Sequence, residues 1–389
     1  MGVSVLVCLA LAGMGADAGS IRKLDGKKID ASAAKALAKT TLESAGVTGA
    51  QIVILEQGKM AWSEAFGNRR ITPAPPLPME KDTTTWAASI TKAVFGTYVM
   101  MLAERGEFQL DVPVAKQLGR RLDEYEPYRE SASELVKDPQ WATVTPRMLL
   151  AHTGGLLNFA FLEPDKKIRL HFKPGSKFWY SGEGLGIVQF VIEQLRGQPL
   201  DQLIQEAIFA PLGMSRTGLI YRTEFAANVS DRFGENGQFL SQTKRFPARA
   251  AGSMTTSAED LSKFLEALLD GRLISEKTKR EMFKPYVQIR TVHQFPREGD
   301  ASESAEAKKV GISYGMGWGL LEKTRFGPAF FKEGHGDGAQ NYLICFEKKK
   351  ACMILLTNSD NGEKAFKSLL EGLWGNTETP WEWEGYPMR

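Results

Sequence analysis

Histidine and cysteine are scarce here, with four and three copies in 389 residues. None of them falls into the paired spacing that builds a zinc site, so no metal centre is expected. Charge of one sign is also lacking: 49 Lys and Arg stand against 46 Asp and Glu, a formal net charge of +3. That balance offers no argument for nucleic acid or an anionic membrane as partner. The N-terminal apolar run, Val3 to Ala12, is only about ten residues long, too short to span a bilayer. Ala16-Asp17-Ala18 follows it as a cleavage pattern, so residues 1–18 read as a secretory signal peptide, although no Lys or Arg precedes Arg22. The expectation is a periplasmic or secreted protein with no stable membrane insertion once the signal is removed.

Removing that segment leaves Cys345 and Cys352, which flank Glu347-Lys348-Lys349-Lys350. Those four residues read as a hairpin turn, which lets the cysteines face each other across two strands. A two-residue turn would place them at a hydrogen-bonded pair, where disulfide geometry is less favourable. Two free buried thiols are therefore expected.

What the chain does contain is a candidate nucleophile in Trp86-Ala87-Ala88-Ser89-Ile90-Thr91-Lys92-Ala93. Thr83 to Thr85 can cap a helix start, and Ile90, Val94, Tyr98, Met101 and Leu102 recur at helical spacing. Gly106 suits the left-handed position that ends such a helix. Ser89 and Lys92, three residues apart, then emerge on one face. A serine hydroxyl needs a base within hydrogen-bond reach, and a lysine whose pKa is depressed by burial or a second cation can serve. Ser-x-x-Lys also arises by accident on ordinary helices, so the rest of the chain must decide.

Residues 31–45 predict a helix, and 51–55 and 60–67 two strands. Thr145 caps a helix with Pro146 at its first position; further helices are expected at 183–196, 199–209 and 258–269. The charge-dense stretch 298–309 reads as an exposed loop. Strands return at 314–321, 342–346 and 352–357, before a last helix at 363–374. Strands at both ends with helices between them imply an α+β fold whose first strands pair with its last.

Seven elements in order resemble the serine hydrolases related to class C β-lactamases, penicillin-binding proteins and β-lactamase-like carboxylesterases. They begin with Ser89-Ile90-Thr91-Lys92, Gly106 through Val114, and Leu149-Leu150-Ala151-His152-Thr153-Gly154-Gly155-Leu156. Pro174-Gly175 with Phe178-Trp179-Tyr180-Ser181, then Pro211-Leu212-Gly213-Met214, follow. Tyr314-Gly315-Met316-Gly317-Trp318 and Gly334-His335 complete the set. The resemblance implies an antiparallel sheet flanked by helices, at about 30–106 and 310–375, with a mainly helical lobe inserted at about 107–291. It also implies Ser89 as nucleophile, with Lys92 and Tyr180 sharing its proton, and cations near Tyr180 lowering its pKa. His335 would be the cation of the third motif, at the start of a strand. Ser181, Gly182, Gly336, Asp337 and Gly338 would line the substrate site, with the N–H groups of Gly338 and Ser89 as an oxyanion hole.

Two departures matter. Gly182 stands where relatives carry the asparagine that contacts an amide substrate, and Asp337 where they carry glycine. Both favour a small carboxylic ester over a β-lactam or a D-Ala-D-Ala peptide. No cofactor is implied, and the partner is a small-molecule ester or amide. The other alternative is a catalytically silent relative that binds cell-wall peptide. Three decoys fall away. Gly311-Ile312-Ser313-Tyr314-Gly315 has the spacing of a nucleophile elbow, but its glycines continue with strand-like period. Gly182-Glu183-Gly184-Leu185-Gly186 lacks dinucleotide-motif spacing, and Gly175-Ser176-Lys177 lacks the upstream glycine of a phosphate loop. His152 reads as a structural residue at a helix end, and His171 and His293 carry no signal.

Overall fold

A computed structural model describes residues 19–295 and 302–385; the expected signal peptide lies outside them. Strands β1 (Gly49–Glu56), β2 (Lys59–Arg70) and β3 (Leu77–Pro78) precede the helical part of the chain. After it come β4 (Val287–Gln288), β5 (Ile312–Tyr314), β6 (Gly319–Leu321), β7 (Ala329–Gly336), β8 (Ala339–Phe346) and β9 (Ala351–Thr357). They form one antiparallel sheet in the order β4-β5-β6-β7-β8-β9-β1-β2-β3, so the last strand pairs with the first. The expected α+β architecture is therefore present.

Side chains alternate across the sheet. On one face, Val53, Leu55, Leu343, Ile354 and Leu356 meet a core that includes Phe95, Val99, Val188 and Leu265. These last come from α2 (Thr91–Glu104), α3 (Gly182–Arg196) and α4 (Ala258–Leu269). On the other face, Ile52, Ile54, Ile344, Met353 and Leu355 meet residues of α1 (Ala31–Ser44). Residues of α6 (Gly362–Leu373) and α7 (Trp381–Glu384) join that same core. Helix α2 is buried from Thr91 to Leu102, so it has no polar face and runs through the middle of the molecule.

Four local expectations need correction. Thr83 to Thr85 do not cap a helix; Thr85 and Trp86 pair as a short strand with Thr255–Thr256, and Ser89 sits in a 3-10 turn, Ala88–Ile90, ahead of α2. Residues 314–321 are two strands, because the glycine turn between them crosses α2. A Cβ at Gly96 would stand 2.3 Å from the Met316 carbonyl oxygen, and one at Gly317 2.5 Å from that of Lys92. Within 298–309, a short helix α5 (Ala305–Val310) buries Ala307 and Val310. Finally, Gly334 and His335 lie at the end of a strand rather than its start. Asp337-Gly338 is a two-residue hairpin turn between Gly336 and Ala339, with Gly338 at φ +69°, a strong hairpin signal in the sequence.

The thiols are a disulfide, Cys345–Cys352, not two free groups. Four residues join β8 to β9, as a 3-10 turn closed by Lys350 in the left-handed region. That turn sets the two cysteines opposite each other with their Cα atoms 4.1 Å apart, the narrow spacing of a non-hydrogen-bonded pair. The bond closes a short loop, so replacing both cysteines with alanine should lower stability by about 2 kcal/mol. Thermal denaturation of the variant and the parent, with and without dithiothreitol, checks this; equal melting temperatures would contradict it.

Candidate active site

The turn carrying Ser89 is held from several sides. Ala87 N–H donates to the Met254 carbonyl, and Thr91 Oγ1 donates to the Ala88 carbonyl while accepting from Met254 N–H. Asn341 Nδ2 donates to both the Trp86 and Gly334 carbonyls, at 3.0 and 3.1 Å, binding the turn to β7. A Cβ at Gly334 would lie 2.3 Å from the Ala87 oxygen, so only glycine lets the strand approach this closely. Ala88, a buried non-glycine residue, adopts φ +46°. Such strain persists only where the surroundings enforce it. Ser89 itself remains partly exposed.

Lys92, buried at the first turn of α2, donates to Ser89 Oγ at 2.9 Å and to the Ala251 carbonyl at 2.5 Å. Its ammonium also lies 4.9 Å from the centre of the Tyr180 ring. Burial, reinforced by the charge of Lys332, pulls the Lys92 pKa well below its ordinary value, against a smaller opposing pull from Glu333. Tyr180 is positioned by His152, which stacks on it at 4.4 Å and accepts the Ser181 N–H through Nδ1 at 3.1 Å. Burial and the Glu333 carboxylate push the Tyr180 phenol well above its ordinary pKa, while a hydrogen bond with Ser89 works the other way. The cations nearby do not make Tyr180 a phenolate; desolvation wins.

The group at the place expected for His335 is Lys332. Its Nζ donates to Tyr180 Oη at 3.0 Å and pairs with Glu333, its neighbour in sequence. Burial works against the Glu333 carboxylate, but the Lys332 ammonium overcomes it and holds Glu333 below the ordinary carboxylate range. His335 follows two residues later on the cavity wall, and burial lowers its pKa to about 4, so its imidazole is neutral. The contact with Tyr180 that the sequence reading expected of His335 is made by Lys332.

The remaining expected residues divide clearly. Ser181 Oγ caps α3 by accepting Gly184 N–H and donates to the Leu157 carbonyl. Gly182 N–H donates to Asn158 Oδ1. Neither residue lines the cavity, but Asn158 does, and it brings a carboxamide beside the position where the expected asparagine is missing. Asp337 is exposed at the hairpin tip, and its carbonyl accepts from Arg232. Gly338 N–H donates to Asp360 at 2.5 Å, which leaves it no part in an oxyanion hole. Gly336 packs flat against the Trp86 ring. Ser313 is buried on β5, with no helix after it. Ser89, Tyr180, Glu333 and His335 thus share the wall of one cavity of about 570 Å³.

A serine, a lysine one turn on, a tyrosine and a second lysine, set between an antiparallel sheet and a helical layer, define a class of proteins. The Beta-lactamase family profile matches residues 34–373, and the chain belongs to that family. It is 25% identical over 270 residues to a putative penicillin-binding protein, PbpX, of Bacillus subtilis (strain 168), covering 63% of this chain and 60% of that one. It is 28% identical over 200 residues to the esterase EstB of Burkholderia gladioli, covering 45% and 47% respectively. The chain thus spans about half to three-fifths of these two relatives' lengths. The fold is shared with an octameric penicillin-binding protein homologue from Pyrococcus abyssi, at TM-score 0.70 and 22% identity, over 90% of this chain and 79% of that one. Among the described residues, no helix is long and apolar enough to cross a membrane.

The electrostatics make a directional prediction for Lys92. Since Glu333 raises its pKa and Lys332 lowers it, Glu333→Gln should move the titration of Lys92 to lower pH, and Lys332→Met to higher pH. NMR of protein carrying 13C-labelled lysine reads both shifts. Shifts of the same sign would contradict the assignment.

Proposed function

We propose that the chain is a serine hydrolase that acts through an acyl-enzyme on small carboxylic esters. The observation that carries this reading is the 2.9 Å contact of Lys92 with Ser89, in surroundings that favour the free amine. As Ser89 Oγ attacks the ester carbonyl, Lys92 takes its proton. Tyr180, a neutral phenol held by Lys332, donates to the leaving alcohol and is reprotonated through the same network. Backbone N–H groups of Ser89 and of the Gly334–His335 stretch, which lies against the Ser89 turn, hold the oxyanion. Water then releases the acyl group by the same proton path. The chemistry needs no cofactor.

Glu333 supports the ester preference. Paired with it, Lys332 presents no net charge, so a carboxylate next to the scissile bond, as in β-lactams and D-Ala-D-Ala peptides, finds no cation on this strand. Asn158 favours amide substrates in turn, which makes the peptide reading the alternative to test. The Cys345–Cys352 disulfide supports an oxidising compartment, periplasmic or extracellular.

A fluorophosphonate probe should label Ser89 once, and Ser89→Ala should lose labelling and turnover together while Ser313→Ala keeps both. Label on Ser313, or none on protein that turns over esters, would overturn the nucleophile; no turnover of any ester, β-lactam or peptide would favour a silent relative. Lys92→Ala and Tyr180→Phe should each lower turnover by roughly a hundredfold. The double variant should be little worse than either, because the groups act as one unit. Wild-type protein should hydrolyse 4-nitrophenyl butyrate well and cephalosporins or D-Ala-D-Ala peptides poorly. Glu333→Gln should raise the ratio of anionic to neutral substrate by about tenfold, as expected for one charge at partly screened range. An unchanged ratio would remove the electrostatic basis of the ester preference.

A further inference from the structure

Two segments touch the turn that carries Ser89. One is the end of β7, where Lys332 and Glu333 cancel each other. The other is the stretch 251–253, where Ala251 accepts from Lys92 and a Cβ at Gly252 would stand 3.6 Å from the Ala88 carbonyl carbon. Lys244, Arg245 and Arg249 lead directly into this second segment, and all three line the same cavity as Ser89. Among the described residues, no carboxylate reaches ion-pair distance of any of the three.

Arg245 is half-buried, whereas Lys244 and Arg249 are exposed on the cavity wall. Arg245 lies over the Trp86 ring, its guanidinium 3.9 Å from the centroid, and Arg232 lies 4.9 Å from the same ring. Arg232 is fixed through the Asp337 carbonyl and Ser241 Oγ. Burial, and the charges of Arg232 and Arg249, all act against the Arg245 cation. Nearby acids offer little relief. Glu183, which feels Arg249, is itself pushed toward the neutral form by burial, and Asp231 is paired with Arg70. A second observation points to a ligand in this cavity: Gln294, 1% exposed and on its wall, has neither its Nε2 nor its Oε1 hydrogen-bonded. A buried amide in this position calls for a partner, either an ordered water or a bound molecule. Phe161, Phe246 and Phe295, each at least half exposed, stand around the cavity and offer apolar surface to the body of a substrate.

We propose that Lys244, Arg245 and Arg249 form an anion subsite, and that the substrate is an ester with a carboxylate or similar anion separated from the scissile bond by an apolar spacer. This rests on the esterase reading and narrows its substrate class. A carboxylate beside the scissile carbonyl meets the neutralised Lys332–Glu333 wall, whereas one several atoms away reaches guanidinium groups that hold carboxylates with two parallel hydrogen bonds. The aromatic ring under Arg245 keeps that guanidinium flat and preoriented.

The test compares 4-nitrophenyl butyrate with mono-4-nitrophenyl glutarate, whose charge is on the acyl part, and with 4-acetoxybenzoate, whose charge is on the leaving group. At low ionic strength, one of the anionic esters should exceed its neutral analogue in kcat/KM by about tenfold, and about 0.5 M salt should remove most of that advantage. Which one does so identifies the side on which the anion sits. Arg245→Gln/Arg249→Gln should bring the anionic-to-neutral ratio close to one, and Arg249→Glu should take it below one. An anionic ester with no advantage in either arm, or a ratio unmoved by the arginine substitutions, would overturn the proposal. Binding to Ser89→Ala protein separates the subsite from the hydrolase reading. Monomethyl glutarate should change tryptophan fluorescence at concentrations about tenfold lower than methyl butyrate does, whether or not the parent enzyme turns over any ester. Equal affinity for the two would overturn the subsite alone.

Discussion

Two lysine ammonium groups buried around one tyrosine constrain the rest of this molecule. Like charges at close range inside a protein cannot both persist without relief. Here the relief is unequal: Lys332 has Glu333 beside it, and Lys92 has the Ser89 hydroxyl, the Ala251 carbonyl and a smaller pull from Glu333. Burial lowers the pKa of both lysines, but the Glu333 carboxylate works against this at Lys332, whereas Lys92 is pulled well below its ordinary value. Lys92 lies 2.9 Å from Ser89 Oγ, and burial, with the Glu333 carboxylate second, pushes the Tyr180 phenol well above its ordinary pKa.

Holding such an arrangement requires packing that cannot relax. Helix α2 is buried all round, so the Lys92 ammonium has no route to solvent through rotation of the helix. Glycines at 96, 317 and 334 let three backbone segments approach within distances that no Cβ would allow. Asn341 then ties the Ser89 turn and β7 through two carbonyls. In the proposed reaction, such placement on rigid elements is what would let a weak nucleophile such as serine work. The unusual φ of Ala88 is one sign of what that placement demands of the backbone.

Charge around the cavity is divided between its walls. The β7 side contains a neutralised pair and a neutral imidazole, and the side made by residues 244–253 is cationic. Selectivity in such a cavity depends on where a substrate carries its charge, more than on whether it is charged.

The strands, the principal helices and the pairing of last strand with first were legible in the sequence, because alternating and helical apolar spacing record which faces are buried. So was the grouping of Ser89, Lys92 and Tyr180 as candidates, since each lies in a motif with a local signature; their roles in the reaction remain a proposal. The contact of Lys332 with Tyr180 was not legible, because Lys332 reads as one more charged residue in a strand until β7 is seen to pass beside Tyr180. The disulfide, likewise, depended on the geometry of a four-residue turn that determines which cross-strand pairs are narrow. Asn158, Glu333, Arg245 and Arg249 had no local signal at all. Which side chains share a cavity, and whether their charges are relieved, depends on contacts between segments far apart in the chain, and only the tertiary structure decides those.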